Sequence, residues 1–463
     1  MIEEHSGDVD TIRQDTERLR AELVTLRDRR VALEHSVAEL QRRVESIRTS
    51  RSWRALEAYR RLRIRTGLSG LSAVAARAAY RRHFPQTVPQ AVARLPLGVN
   101  LAGYLDTESG MGEAARASVR SLDAAGIPVA LNNVPGLLRA GDPSFQDRFV
   151  LSHPHPFNLV HLNADNMPAF AARHGRRYFK DRYTIGYWFW ELDTLPPDWI
   201  SFSGYVDEVW TATSFGRDTV RASCRVPACR MPLPVMLPAP PPLGRAHFGI
   251  PDRSLLFLYM FDVSSQLERK NPIAAIRAFR QAQLPRDAAT LVLKFTNAGY
   301  DSAGVRRLHE EAEGLPVRML EGYMDRPELA ALLHTADCYL SPHRSEGFGL
   351  TILEAMSLGK PSIATMYSGN VDFMTAENSF PLDYTLVELT RRHGPYREGA
   401  HWAEPSIDHA ARLIREVVAN PERAAERGAR ARSEVERDWS AEATARAVRS
   451  RLETLHRSAG APA

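Results

Sequence analysis

From Leu97 onward the chain repeats one pattern: a short apolar run, a glycine-containing turn, a helical stretch, then another apolar run. LGVNLAGYL is followed by TESGMGEAARASVRSLDAAG, ending at Gly126, and then by IPVALNNV. FNLVHLNAD, YTIGYWFW and EVWTATS continue the series. Strand, glycine loop, helix, strand is the order of a parallel, doubly wound sheet. A stiff proline-rich stretch, LPAPPPLG at about 237–244, closes this first unit. A second begins with SLLFLYMFD, a helix at NPIAAIRAFRQA, TLVLKF, VRMLEGY, a helix at PELAALLHTA, CYLSP and PSIATM. Two α/β units of similar size joined by a short linker place a cleft between them. The loops at the carboxyl ends of both sheets face that cleft. Residues from Ser406 to about Arg457 are rich in Ala, Arg and Glu and read as helices.

The N-terminal arm obeys a different period. Ile12, Leu19, Leu26, Leu33, Leu40 and Ile47 hold one heptad position without a miss. Val9, Thr16, Leu23, Arg30, Val37 and Val44 hold the other, with Thr16 and Arg30 breaking the seam. A period of 3.5 sustained this long predicts a left-handed coiled coil and a homo-oligomer through residues 9–47. A single long surface helix is the alternative. Next comes SRSWRALEAYRRLRIRTGLSGLSAVAARAAYRR. Between Arg48 and His83 stand ten arginines and one acid, Glu57, a local charge of +9 in a chain of net +5. Interleaved with Trp53, Leu56, Tyr59, Leu62 and Ile64, these arginines suit an anionic membrane surface. Nucleic acid would suit them too, as would a solvated linker helix; nucleic acid is not the expected partner. The expected organisation is therefore a coiled coil over 1–50, a basic helical linker over 51–96, Rossmann-like units over 97–240 and 241–405, and C-terminal helices over 406–463 that partly pack back on the first unit.

Composition narrows the class. An apolar fraction of 44% and a charged fraction of 25% are those of an ordinary globular protein. Three cysteines, Cys224, Cys229 and Cys338, make no disulfide framework and fit a reducing cytoplasm. The start, MIEEHSGDVD, is acidic and is no secretory signal. No apolar run reaches the roughly 18 residues of a membrane helix.

The chemistry concentrates in SPHRSEGFGLTILEAM, residues 341–356. Glu346 falls just past a strand. Gly347 and Gly349 permit a tight turn and close approach of a ligand to the backbone. The turn opens onto a helix N-terminus, which attracts phosphate. Glu354, one to two turns into that helix, can accept hydrogen bonds from ribose hydroxyls. For two isolated glutamates, a helix-favouring residue and a loop charge would be the simpler reading. Lysine usage adds independent weight. Against 56 arginines the chain has four lysines, and Lys270 follows Arg269 at a helix start just after the first strand of the second unit. A cation is otherwise unfavourable there, so a diphosphate is the fitting partner, with a lysine pointing to solvent as the alternative.

On these residues, Leu97 to Arg457 resembles the retaining GT-B glycosyltransferases of family 4, also called glycosyl transferases group 1. SEGFGLTILEAMSLGKPSIATMYSGNVDF looks like that family's E-x7-E segment and the glycine-rich loop after it. YMFDVSSQLERKNP is similar to its phosphate-holding strand and loop, and GYLDTESGMGEAARASVRSLDAAGIPV resembles its first glycine loop and helix. The resemblance implies a GT-B fold, with an N-terminal acceptor domain and a C-terminal donor domain facing a cleft behind the coiled coil. Further, it implies that Glu354 binds the ribose of a UDP- or GDP-linked sugar and that Glu346 contacts the transferred sugar. It implies that backbone N–H groups of Gly347, Phe348, Gly349 and Leu350 hold phosphate or sugar, and that Lys270 with Arg269 balances the diphosphate without a metal or other cofactor. Gly110 and Gly112 would let the first loop approach the diphosphate, and Tyr323 and Met324 would lie near the base.

Two departures stand out. Where the family has an arginine before the phosphate lysine, this chain has Asp262-Val-Ser-Ser265, so the expectation is that Arg269 substitutes or that the diphosphate is held differently. Where many members have a histidine near the reacting sugar, register places Asn163. Asn163, Asp165 and His161 are the candidates there, with Asp165 or a donor phosphate oxygen as the base. Trp188, Trp190 and Glu191 in GYWFWELDTLP are candidates for acceptor contact, with core packing as the equal alternative for the aromatics. The expected function is a retaining, metal-independent glycosyltransferase acting on a cell-surface glycan acceptor, cytoplasmic or peripheral at the inner face of the membrane. The rival readings are another GT-B enzyme, an epimerase or a phosphorylase, and an inactive coiled-coil scaffold.

Overall fold

Strands β1 (Val99–Gly103), β2 (Val129–Asn133), β3 (Phe157–His161), β4 (Tyr183–Tyr187), β5 (Glu208–Thr211) and β6 (Ala228–Arg230) make one sheet in the order β2-β1-β3-β4-β5-β6. Every pairing in it is parallel. The computed structural model describes residues 88–136, 141–285 and 287–460; the expected coiled coil and the basic stretch 48–83 lie outside them. β1, β3, β4 and β5 are buried along their whole length. That is why they read as continuous apolar runs rather than alternating ones: helices cover both faces.

The second sheet runs β12-β11-β10-β7-β8-β9, again parallel throughout. Its strands are β7 (Leu255–Asp262), β8 (Ala289–Thr296), β9 (Val317–Glu321), β10 (Cys338–Ser341), β11 (Ser362–Thr365) and β12 (Phe380–Leu382). Strand order reverses between β1 and β3 in the first sheet and between β7 and β10 in the second. Loops leaving the carboxyl ends of two such strands diverge and leave a crevice between them. Sequence caps set the helices that follow. Ser109 accepts from the Gly112 N–H to start Gly110–Ala124, Asp325 from Glu328 to start Arg326–Thr335, and Ser406 from His409 to start Ile407–Ala419.

The sequence pattern did not reveal β13 (Tyr384–Glu388) and β14 (His401–Pro405), an antiparallel hairpin within the second unit. Its residues Leu389, Tyr396, Ala400 and Trp402 pack into the apolar core of the first lobe beside Trp190 and Trp199. His401 pairs with Asp193 at 3.0 Å, and Arg344 ties the hairpin's base through Glu404 at 2.6 Å. The C-terminus makes a second crossing. Helix Pro421–Asp438 packs on the second lobe, the chain turns at Trp439, and helix Ala441–Gly460 lies on the first-lobe helix Gly110–Ala124. Ser121 and Thr444 hydroxyls meet there at 2.7 Å.

One buried charge depends on that crossing. Glu208, with 0% exposure, accepts from Tyr183 at 3.0 Å, from Trp210 at 2.8 Å and from Arg451 of the last helix at 2.5 Å. Arg451→Ala removes the cation that pairs with Glu208 among the described residues and leaves a carboxylate in the core. The expected loss is about 3 kcal/mol in denaturant titration, and less when Glu208 is also changed to Gln. Unchanged stability in Arg451→Ala would contradict this role for the C-terminal helix.

Candidate functional site

The switch point of the second sheet gathers the charges. β7 ends at Asp262, whose carboxylate accepts from the Ser264 N–H at 2.8 Å. A single helical turn, Leu267–Lys270, is bounded by left-handed residues, Gln266 at φ 68° and Asn271 at φ 54°. Asn tolerates that region; Gln does so at a cost, and backbone strain of this kind collects at functional sites. The double reversal turns Arg269 and Lys270 back under the loop leaving β10. Arg269, 3% exposed, donates to the Ser345 carbonyl at 2.6 Å and the Ser265 carbonyl at 3.1 Å, and lies 3.3 Å from Glu346 Oε2. Lys270 Nζ donates to Glu346 Oε1 at 2.5 Å. Arg269 Nε and Asn271 Nδ2 are buried donors without a protein partner.

Burial alone would raise the Glu346 carboxyl, but Lys270 and Arg269 outweigh it and hold the group at about 2. The Lys270 ammonium is pushed down by burial, with Glu346 opposing. Glu346 is therefore a carboxylate at neutral pH. Behind it, Ser368 Oγ accepts from the Glu346 N–H at 2.8 Å and Gly369 N–H donates to the Glu346 carbonyl at 2.9 Å. A Cβ on Gly369 would stand 2.6 Å from the Gly347 carbonyl, so this SGN turn must carry glycine. His343 is buried beside it, its Nε2 3.1 Å from Asn370 Oδ1.

Gly349 sits at φ 86° where helix Leu350–Ser357 begins. The Leu350 and Thr351 N–H groups open this first turn without intrahelical partners, as at any helix start, while the Ile352 and Leu353 N–H groups donate to the Gly349 carbonyl at 3.0 and 3.1 Å. Phe348 anchors the turn by packing on Trp439, with ring centres 5.6 Å apart. Glu354 is 2% exposed, and its Oε1 accepts from Arg326 at 2.7 Å. Burial raises the Glu354 carboxyl and Arg326 opposes the rise. Arg326 also reaches Glu113 of the first lobe at 3.6 Å. Sequence reasoning missed Arg326, although it stands beside the Asp325 cap in DRPEL.

The first lobe closes over this cluster. Tyr323 hydrogen-bonds Glu108 across the cleft, while Met324 packs on the core. Thr213 donates to the Gly347 carbonyl at 3.2 Å, and Asp372 accepts from the Ser214 N–H at 2.9 Å. Gly112 needs its missing side chain for the lobe's own packing, because a Cβ would stand 2.1 Å from the Thr107 carbonyl; Gly110 faces open space. One expectation needs correcting, that of His161. It is fully buried, stacked on Tyr187 at 4.4 Å and paired with Ser118 at 2.8 Å, and burial lowers it to about 3, so it is a core residue. Asp165 is exposed. Asn163 accepts from the Phe189 N–H at 2.9 Å and so braces the 188–191 loop. Trp188 and Trp190 are buried, and for both the packing alternative describes what is seen. Glu191 belongs to the cluster: Tyr396 of the hairpin donates to its Oε2 at 3.0 Å, and the Ser345 hydroxyl donates to its carbonyl. Among the described residues no group of three or more His, Cys, Asp or Glu gathers to hold a metal, and no helix is long and apolar enough to cross a membrane.

Residues 246–434, which contain this cluster, match the family Glycosyl transferases group 1. They form a glycosyl transferases group 1 domain. The chain is similar to the GDP-mannose-dependent alpha-(1-6)-phosphatidylinositol dimannoside mannosyltransferase of Mycobacterium tuberculosis, 32% identical over 129 residues, which are 28% of each chain. It is also similar to the putative colanic acid biosynthesis glycosyltransferase WcaL of Escherichia coli, 25% identical over 204 residues, 43% of this chain and 45% of that one. The chain thus matches less than half the length of these curated relatives. In fold it is similar to HepE of Anabaena in complex with UDP and glucose, with a TM-score of 0.54 and 14% identity over 78% of this chain and all of that one. Sucrose-phosphate synthase of Thermosynechococcus elongatus gives a TM-score of 0.58 and 16% identity over 78% of this chain and 99% of the other. Two Rossmann-like lobes on these neighbours describe a GT-B fold, with the group 1 domain as its second lobe.

Acid sensitivity follows from the buried rings. His161 is lowered to about 3 and His343 to about 4, both by burial. A depressed folded value means the stabilisation is present above the unfolded value near 6.5 and is lost as pH falls towards the folded one. At pH 5 each histidine costs about 2 kcal/mol, and Glu346 adds its loss only below about 4.5. Melting temperature should therefore begin to fall near pH 6.5; a flat profile down to pH 4.5 would contradict this.

Proposed function

We propose that this chain moves a sugar from a nucleotide-diphosphate sugar to a glycan acceptor, with retention of anomeric configuration. The observation that carries the reading is the part-buried Lys270–Glu346 pair, bracketed by Arg269, at the switch point of the group 1 domain. In this account the diphosphate lies between Lys270 and the glycine turn 347–349, where the ammonium and the helix start offset the charge that grows on the leaving group. Glu354, in competition with Arg326, takes the ribose hydroxyls. Glu346 faces the transferred sugar. The GDP-mannose dependence of one relative, and the UDP and glucose bound in a structural neighbour, support a UDP- or GDP-linked donor.

The acceptor is a growing cell-surface glycan on a lipid carrier. The arginine-rich stretch 48–83 favours an anionic membrane face, and WcaL is assigned to colanic acid biosynthesis. The heptad over residues 9–47 favours a homo-oligomer at the cytoplasmic face.

Incubation with labelled UDP-glucose and GDP-mannose, followed by product analysis, tests the reading. Glu346→Gln and Glu354→Gln should each lower transfer at least about 100-fold. Full activity in both variants would remove this site from the account, and an inverted product would remove retention.

A further inference from the structure

The first lobe presents one carboxylate to the donor loop. Glu191 follows β4, and its position is fixed from four sides. Asn163 accepts from the Phe189 N–H at 2.9 Å, Trp190 Nε1 donates to the Thr194 carbonyl at 2.8 Å, the Ser345 hydroxyl holds the Glu191 carbonyl, and Tyr396 holds Oε2 at 3.0 Å. The other oxygen, Oε1, lies 3.7 Å from the point where a Cβ on Gly347 would stand. Gly347 has no Cβ, so this oxygen faces the glycine turn. The carboxylate is close enough for its charge to act on both Arg269 and Lys270.

Tyr396 is not part of either Rossmann-like sheet. It is carried by the residues between β13 and β14 and is buried between Trp190, at a ring distance of 5.4 Å, and the Arg269–Glu346 cluster. Burial raises its hydroxyl well above the ordinary value, so it stays protonated and donates. The chemistry then sorts by sign. A carboxylate repels phosphate and accepts from hydroxyls, so on this side of the cluster a sugar ring is admitted and phosphate is not. Lys270 and Arg269 supply the phosphate side.

We propose that Glu191 binds a ring hydroxyl of the donor's sugar and that Tyr396 is the positioning residue that holds it against Gly347. The inference rests on the cleft being a nucleotide-sugar site and names the residues that read the sugar.

Calorimetric titration tests it with UDP-glucose, GDP-mannose, UDP and GDP added to wild type, Glu191→Gln, Tyr396→Phe and the double variant. Tyr396→Phe keeps the ring and its packing and removes only the hydroxyl. For the nucleotide sugar that wild type binds, both single variants should lose about tenfold in affinity, the scale of one hydrogen bond to a charged group. Affinity for the matching nucleotide diphosphate should change less than about twofold. The double variant should be no weaker than Glu191→Gln, because the two residues act as one unit. Unchanged nucleotide-sugar affinity in either single variant would overturn the proposal, as would an equal loss for nucleotide and nucleotide sugar. If wild type binds none of the four ligands, the nucleotide-sugar reading fails and this inference with it.

Discussion

The charge pair between Lys270 and Glu346 is the constraint around which the second lobe is built. Two ions out of water are tolerated only when each is paired and their remaining valences are met. The local structure supplies those partners: Arg269 beside the carboxylate, the Ser368 hydroxyl on the Glu346 N–H, and the Gly369 N–H on its carbonyl. Each partner sits on a loop that leaves the carboxyl end of β7, β10 or β11. Parallel strands whose order reverses at this place bring those loops together, so topology and electrostatics impose one requirement. The left-handed Gln266 and Asn271 let a strand end, a single turn and a helix start follow within a few residues.

Crossings between the lobes hold the cleft as a defined gap. The hairpin of β13 and β14 carries Tyr396, Ala400 and Trp402 into the first lobe's core, and the last helix carries Arg451 to Glu208. Tyr323 with Glu108 and Arg326 with Glu113 face each other across the opening. A ligand entering here meets cations on one wall, a glycine turn at a helix start, and carboxylates placed to take hydroxyls. That division suits a molecule that is anionic in its middle and polar but uncharged at its ends.

Much of this was legible in the sequence, because continuous apolar runs in a parallel sheet and an ordered glutamate–glycine–glutamate segment leave direct traces. Lys270, Glu346 and Glu354 fall within one lobe and within short motifs, so spacing identified them. Arg326, Tyr396 and the partnership of Glu191 could not be read that way. Their contacts join residues far apart in the chain, and Tyr396 lies in an inserted hairpin whose first strand is largely exposed. His161 misled for a related reason. A histidine at a strand's carboxyl end reads as reactive, yet Ser118 and Tyr187 close over it from elements that the local sequence does not name.

A crystal structure of the protein with a bound nucleotide diphosphate tests the central claim most directly. Phosphate oxygens are expected within hydrogen-bonding distance of Lys270 Nζ and of the N–H groups of the 347–350 turn, with ribose hydroxyls on Glu354 where Arg326 now donates. Nucleotide seated elsewhere in the cleft, with the Lys270–Glu346 cluster untouched, would contradict it.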